Sequence, residues 1–311
     1  MTTKRCSIAR AVSLLLLWLV PGIVLAADTL RIVLTGDVLL DRGVRQRVER
    51  TGGVDCLFSR GIDSLFRQAD IVVGNLECPA THIQAPVFKR FVFRAEPEWL
   101  QGLRRHGFTH LNLANNHSID QGRAGLLDTR ENIIRYGMVP LGAGATQKEA
   151  SAPVLLADGE RKVWMLASLR LPLENTPYLP KLPSVSQEPF DTLVSRVAMI
   201  RQQDPKAYII VSLHWGWEHH ERVLPRQREQ AHRLIDAGAD ILVCHHPHVL
   251  QPAENYRGHM IYYSVGNFIF DQRRLRNSLA CVVQINITGQ ESIVKSLLVK
   301  IENCRVRLVD K

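Results

Sequence analysis

Residues 29–40, TLRIVLTGDVLL, decide the fold: a β-branched, leucine-rich run that ends on Gly36 and Asp37. An apolar strand that delivers a small residue and then an acid at its carboxyl end is how open α/β sheets present chemistry. The pattern returns along the chain. ADIVVGNLE at 69–77 exits on Gly74, Asn75 and Glu77, and FTHLNLANNHSIDQG at 108–122 carries Asn115, Asn116, His117 and Asp120 beyond its apolar part. AYIIVSLHWGWEHH at 207–220 exits on His214, and DILVCHHPHV at 240–249 delivers His245, His246 and His248. Helical patterning falls between these runs, at 60–68, 96–105, 123–135, 190–202 and 225–237. Alternation of strands and helices predicts an α/β fold. YGMVPLGAG at 136–144 and APVLLADGERKVWMLASL at 152–169 read as further strands, the latter with a hairpin turn at Asp158-Gly159. MIYYSVGNFIFD at 260–271 precedes two C-terminal segments, near 279–287 and 293–309, that read as antiparallel strands. Residues 170–190 hold Pro172, Pro177, Pro180, Pro183 and Pro189, an irregular excursion that is either a lid or a surface loop.

The chain has 311 residues. That is ample for one large core, and residues 28–311 read as one domain. Residues 1–27 have Lys4, Arg5 and Arg10 ahead of an apolar run and end on Ala26-Ala27, the arrangement of a secretory signal peptide or an N-terminal anchor. Either one places the body outside the cytoplasm, in a periplasmic or extracellular setting. Formal net charge is +9, and the N-terminal segment accounts for three of those charges. A surplus of that size favours an anionic ligand or a membrane surface without identifying one, and no motif points to nucleic acid. Arg273, Arg274 and Arg276 form a local basic cluster that fits a solvated face as well as a binding patch. Of six cysteines, five follow the N-terminal segment; a Cys56–Cys78 bridge is permitted by export, and the lack of a CxxC pair argues against a thiolate zinc knuckle.

The strand exits combine oxygen and imidazole donors: Asp37, Glu77, Asn116, His214, His246 and His248. Hard divalent ions need oxygen ligands, whereas zinc and similar ions also accept imidazole nitrogen. Each residue alone has a plainer explanation. Asp37 can cap a helix, Asn116 and His117 can shape a turn, and His214 can be an interior histidine. Together they point to a mononuclear or dinuclear metal site. In His214-Trp215-Gly216-Trp217-Glu218 the indoles wall a pocket or pack the loop, and Glu218 is placed to orient a ligand imidazole.

GDVLLDRG at 36–43, NLE at 75–77, LANNHSIDQGRAGLLDT at 113–129, HWGWEHH at 214–220, GADILVCHHPHVLQP at 238–252 and YSVGNFIFD at 263–271 carry a more specific signal. In order and over nearly the whole body, they resemble the CapA or PgsA poly-γ-glutamate capsule-biosynthesis proteins, within the calcineurin-like metallophosphoesterase superfamily. The resemblance implies a four-layer sandwich, two central β-sheets flanked by helices. It implies that Asp37, Asn116, His214, His246 and His248 are metal ligands and that Glu77 is the bridging carboxylate, with Asn75 the competing choice. His117 takes the position that assists the leaving group. His245 falls beside the His-x-His pair, and Arg42 is expected at an anion, or else in a surface pair with Asp41. The superfamily's Asp-x-His at the first strand exit is replaced here by Asp37-Val38-Leu39, which leaves one ligand of the first metal absent.

The function implied is metal-dependent hydrolysis or transfer at an anionic polymer or phosphoester, using one or two divalent ions (Mn, Zn, Fe or Mg), with His117 polarised by Asp120 as proton donor. Arg42, Asn75 and His245 would face the substrate. A membrane-embedded biosynthesis complex is the implied partner. The other class is a non-catalytic polymer-binding or export and assembly component built on the same cluster.

Overall fold

In the computed structural model residues 28–309 are described, and the N-terminal segment read above as a signal or anchor lies outside them. The first central sheet contains β1 (Leu30–Val38), β2 (Ile71–Leu76), β3 (His110–Asn112), β4 (Val139–Leu141), β13 (Asn267–Ile269), β14 (Leu279–Thr288), β15 (Glu291–Glu302) and β16 (Arg305–Leu308). The second contains β6 (Val154–Asp158), β7 (Lys162–Leu169), β9 (Tyr208–His214), β10 (Ile241–Val243), β11 (Ala253–Tyr256) and β12 (His259–Tyr262). β5 (Ala143–Gly144) and β8 (Ser184–Val185) form a short antiparallel pair. The helices are α1 (Arg42–Thr51), α2 (Arg60–Arg67), α3 (Trp99–His106), α4 (Gly122–Arg135), α5 (Gln147–Ala150), α6 (Phe190–Gln203), α7 (Pro225–Asp236) and α8 (Leu275–Ser278).

Alternation along the strands builds the layers, because successive side chains point to opposite faces of a sheet. Ile32, Leu34, Ile71 and Val73 of the first sheet pack against Met165, Ile210, Ile241 and Val243 of the second, forming one buried cluster between them. The intervening Val33, Val72 and Leu111 face the other way, onto Val44 and Val48 of α1, Ile62 and Phe66 of α2, Leu100 and Leu103 of α3 and Leu126 of α4. Ile209, Val211 and Leu242 likewise pack against Leu193 and Val197 of α6 and Leu234 and Ile235 of α7. The result is the expected four-layer sandwich, with helices outside two central sheets. Truncating one of these inward leucines or isoleucines to alanine costs about 2–5 kcal/mol.

β1 to β4 run parallel, and so do β7, β9, β10 and β12, so their carboxyl ends open onto one region. β14 pairs antiparallel with Leu30 to Leu34 of β1, and beyond that β13 takes over in parallel, opposite Asp37 and Val38. The chain crosses between sheets within 260–271: β12 belongs to the second sheet and β13 to the first. This crossing requires Gly36, since a Cβ there would stand 2.0 Å from the Gly266 carbonyl oxygen, to which the Asp37 amide donates.

One helix is new and two readings need correction. Residues 42–51 form a helix that the sequence did not announce, and the segment near 293–309 is two strands broken by a turn at Asn303-Cys304, both with positive φ. The five described cysteines are free thiols; Cys78 is buried at the β2 exit, where its Sγ accepts from the Leu40 amide, and no Cys56–Cys78 bridge forms. The proline-rich excursion is held down at several points: Arg123 donates to the Pro177 carbonyl and Asn175 to that of Phe88.

Candidate metal centre

Asp37 at the end of β1 and Glu77 just past β2 are both fully buried carboxylates. His214 ends β9, and His245, His246 and His248 follow β10, joined to it by the His245 amide donating to Leu213 and the Trp215 amide donating to His245. His246 and His248 have φ of 96° and 55°, left-handed conformations that cost a non-glycine residue about 1–3 kcal/mol each. The surrounding structure maintains these conformations, and they set the imidazoles where a relaxed turn would not.

The side chains converge. His214 Nε2 lies 3.5 Å and His248 Nε2 3.7 Å from Glu77 Oε1, and His246 Nδ1 lies 3.1 Å from His214 Nε2. His248 Nδ1 pairs with Asn267 Oδ1 at 2.9 Å and stands 3.2 Å from Asp37 Oδ2. Two groupings result, Glu77 with His214 and His246, and Asp37 with Glu77 and His248. Glu77 belongs to both. Its two oxygens and Asp37 Oδ2 have no hydrogen-bond donor although they are buried, a condition costing several kcal/mol for a charged group.

The donor set fits a divalent cation. Two ligand atoms each about 2.1 Å from a tetrahedral ion stand about 3.4 Å apart, close to the separations between Glu77 and the imidazoles. His214 and His246 are neutral and able to donate lone pairs: burial, with neighbouring imidazoles adding, holds His214 well below the usual histidine range and His246 at about 3. Burial also disfavours charge on His248, but Glu77 and Asp37 outweigh it and push this histidine up to about 10. Burial, reinforced by the Asp37 carboxylate, raises Glu77 well above the ordinary carboxylate range. Burial opposes ionisation of Asp37 too, yet contacts with His245 and His248 outweigh it and keep this acid well below its usual value. Proton retention of this kind marks a cluster short of positive charge, and a metal that binds it must displace those protons.

Beyond β3, His117 Nδ1 is 2.9 Å from Asp120 Oδ2, and the Phe93 ring packs on the imidazole with centroids 4.3 Å apart. The sequence reading missed Lys89. Its side chain is 3 % exposed, and its ammonium reaches Asp120 Oδ1 at 2.5 Å, the Asn116 carbonyl at 2.9 Å and His117 Nδ1 at 3.3 Å. Burial lowers His117, outweighing the Asp120 carboxylate that favours its charged form. Asn116 Oδ1 is buried without a donor, whereas the Asn115 side chain caps the turn through the amides of His117 and Ser118.

Residues expected at a substrate behave differently. Asn75 is an interior clamp: its amide nitrogen donates to Asp37 Oδ1 at 2.8 Å and approaches His214 Nδ1 at 3.4 Å, while its oxygen accepts from Asn112 and Asn115. With all its polar capacity taken by protein, it has none for a substrate. His245 is buried with Nδ1 3.1 Å from Asp37 Oδ1, out of line for a hydrogen bond. The Arg42 guanidinium is held by Asp271, not by Asp41. Glu218 is exposed but brings an oxygen within reach of a common ligand with His246 and His248. Trp215 packs the loop, fully buried with Nε1 donating to the Tyr263 carbonyl, and Trp217 is 60 % exposed.

The model of the family described as bacterial capsule synthesis protein PGA_cap matches residues 31–272, a span containing every residue of this cluster. The chain belongs to this family. It is 32% identical over 269 residues to the capsule biosynthesis protein CapA of Bacillus anthracis, covering 84% of this chain and 64% of that protein. Identity is also 32% over 275 residues to the PGA biosynthesis protein CapA of Bacillus subtilis strain 168, covering 84% and 68% respectively. The PGA_cap chain thus spans about two thirds of the length of these relatives. Among solved structures, a phosphatase from Mycoplasma pneumoniae aligns with a TM-score of 0.53 at 12% identity, over 88% of this chain and 94% of that one. At that identity the likeness shows a shared fold and nothing of the activity.

Proposed function

We propose that this PGA_cap protein is an exported, metal-dependent hydrolase or transferase of capsule or poly-γ-glutamate biosynthesis. It acts on an anionic polymer or a phosphoester, beside a membrane-embedded biosynthesis complex. The observation that carries this reading is the buried Glu77 carboxylate, which faces two imidazoles and has no hydrogen-bond donor of its own. The names of the CapA relatives support the biosynthetic setting, and the composition of residues 1–27 supports export.

Glu77, His214 and His246 would hold one ion, and Asp37, Glu77 and His248 a second, with the buried Asn116 oxygen as a further neutral donor. The mixture of imidazole and carboxylate suits Zn, Mn or Fe better than Mg, which prefers oxygen alone. Bound divalent cations supply Lewis acidity, neutralising charge on the target's oxygens and acidifying water. His117 moves the proton: Asp120 holds Nδ1, which leaves Nε2 to face the departing oxygen. Burial lowers His117, so its imidazolium is a stronger acid than free histidine while the share of it present falls as pH rises. Lys89 and Phe93 fix the pair in place, one through Asp120 and the other through the ring face.

The test is turnover of a chromogenic phosphoester by the purified chain with Mn or Zn. Activity should vanish on chelation and fall at least about a hundredfold in His117→Ala, with metal content and melting temperature retained. Polymer binding with no turnover under any metal would move the cluster to a non-catalytic role in assembly.

A further inference from the structure

α1 carries two stripes. Val44 and Val48 enter the core, while Arg42, Gln46, Arg47 and Arg50 line a groove of about 1190 Å3. The remaining lining includes Arg273 beyond β13 and Lys300 and Glu302 near the end of β15. The acids of this groove are already engaged. Asp271 holds Arg42 and the Gly43 amide, and Glu302 holds Lys300 at 2.7 Å and Arg307 at 2.9 Å. Arg47, Arg50 and Arg273 have no acidic partner among the described residues, and Arg47 Nε is buried with no acceptor.

The groove abuts the metal centre. The Arg42 guanidinium lies 5.5 Å from the Phe93 ring and 5.6 Å from that of Phe270. Phe93 packs on His117, and Phe270 lies 4.9 Å from His248. Gln272, also in the groove, accepts from Asn267, the residue that orients His248. Arg274 and Arg276 extend the positive field towards His219, whose ring is 6.2 Å from His248. Positive charge therefore runs from the groove to the edge of the cluster.

We propose that this arginine groove is the binding track for a linear polyanion, which it leads to the metal centre. The inference rests on the reading of an anionic polymer as substrate, and it assigns that polymer a path. Guanidinium forks without acidic partners donate to carboxylate or phosphate oxygens two at a time, and several of them in a row engage successive anionic units. A single small anion would need only one.

The experiment is equilibrium binding of length-matched poly-γ-glutamate, polyphosphate and neutral polyglutamine to the full chain after chelation, at low and high salt. Chelation separates this result from metal occupancy, which is read by metal analysis of the untreated chain. Either polyanion should bind at least about tenfold more tightly than polyglutamine and lose that advantage in high salt; the tighter of the two names the anionic group. Arg47→Glu/Arg273→Glu should weaken binding by a similar factor while metal content is kept, and Arg47→Gln/Arg273→Gln serves if the reversal impairs folding. Polyanion binding no tighter than that of polyglutamine, or unchanged in both double variants, overturns the proposal.

Discussion

Lys89 brings an ammonium beside the His117–Asp120 pair, in a site where almost none of its side chain meets water. Nothing in Val87-Phe88-Lys89-Arg90-Phe91-Val92-Phe93-Arg94 separates it from its solvated basic neighbours, and its partners lie about thirty residues further along. It was invisible for that reason, as was Asn267, whose role depends on a crossing between sheets. His117 and Asp120 were legible because they share one turn. Lys89→Met should leave metal content unchanged and lower phosphoester kcat about tenfold or more with little change in KM, since it removes the support of Asp120 and no substrate contact. An unaltered kcat would show that Lys89 only fills space. Gly36 is a second residue whose role is backbone contact. Gly36→Ala should destabilise by about 3 kcal/mol or more, because the new Cβ meets the Gly266 carbonyl and neither strand can retreat; a melting temperature equal to that of the native chain would refute this.

At the scale of elements, α1 escaped the sequence reading because RGVRQRVERT offers only two apolar residues in ten, Val44 and Val48, too few for a clear stripe. Its anchorage is electrostatic as well as apolar. Arg45 reaches Glu96 at 2.7 Å and stands 4.9 Å from the Trp99 ring, while Arg94 pairs with Glu96 at 2.6 Å. The guanidinium of Arg94, assisted by Arg45, holds Glu96 at about 2, below its unfolded value of about 4.5. A depressed carboxylate contributes stability that is fully present above the unfolded pKa and is lost as pH falls through the folded one. The loss belongs to the window between pH 4.5 and 2. Partial exposure limits it to about 1 kcal/mol. Glu96→Gln should therefore flatten acid unfolding in that window and leave the slope at neutral pH alone, as followed by denaturant titration at each pH. A parallel acid limb in the variant would place the effect elsewhere.

For the whole molecule, the sequence pattern and the geometry meet at the carboxyl ends of the parallel strands. Asp37, Glu77, His214, His246 and His248 are spread over more than two hundred residues, yet two sheets packed face to face bring them into one cluster. Alternation of strands and helices made the α/β class legible, the four layers came with the family resemblance, and acids and histidines at strand ends marked the candidate ligands that the fold brings together. The crossing at 260–271 was hidden because one strand-like stretch, interrupted by Ser264, Gly266 and Asn267, serves both sheets, and Gly266, with φ of 74°, marks the change of course. Asn75 was misjudged for a similar reason: a polar residue within a strand reads as site-facing until its four partners are known. Whether this cluster holds divalent metal is read from metal content per chain, by elemental analysis, of the chain purified without chelator and of His246→Ala. One or two equivalents are expected in the native chain, with a clear fall in the variant and its fold intact. No metal in the native chain, and none taken up on titration with Mn, Zn or Fe, would contradict this expectation.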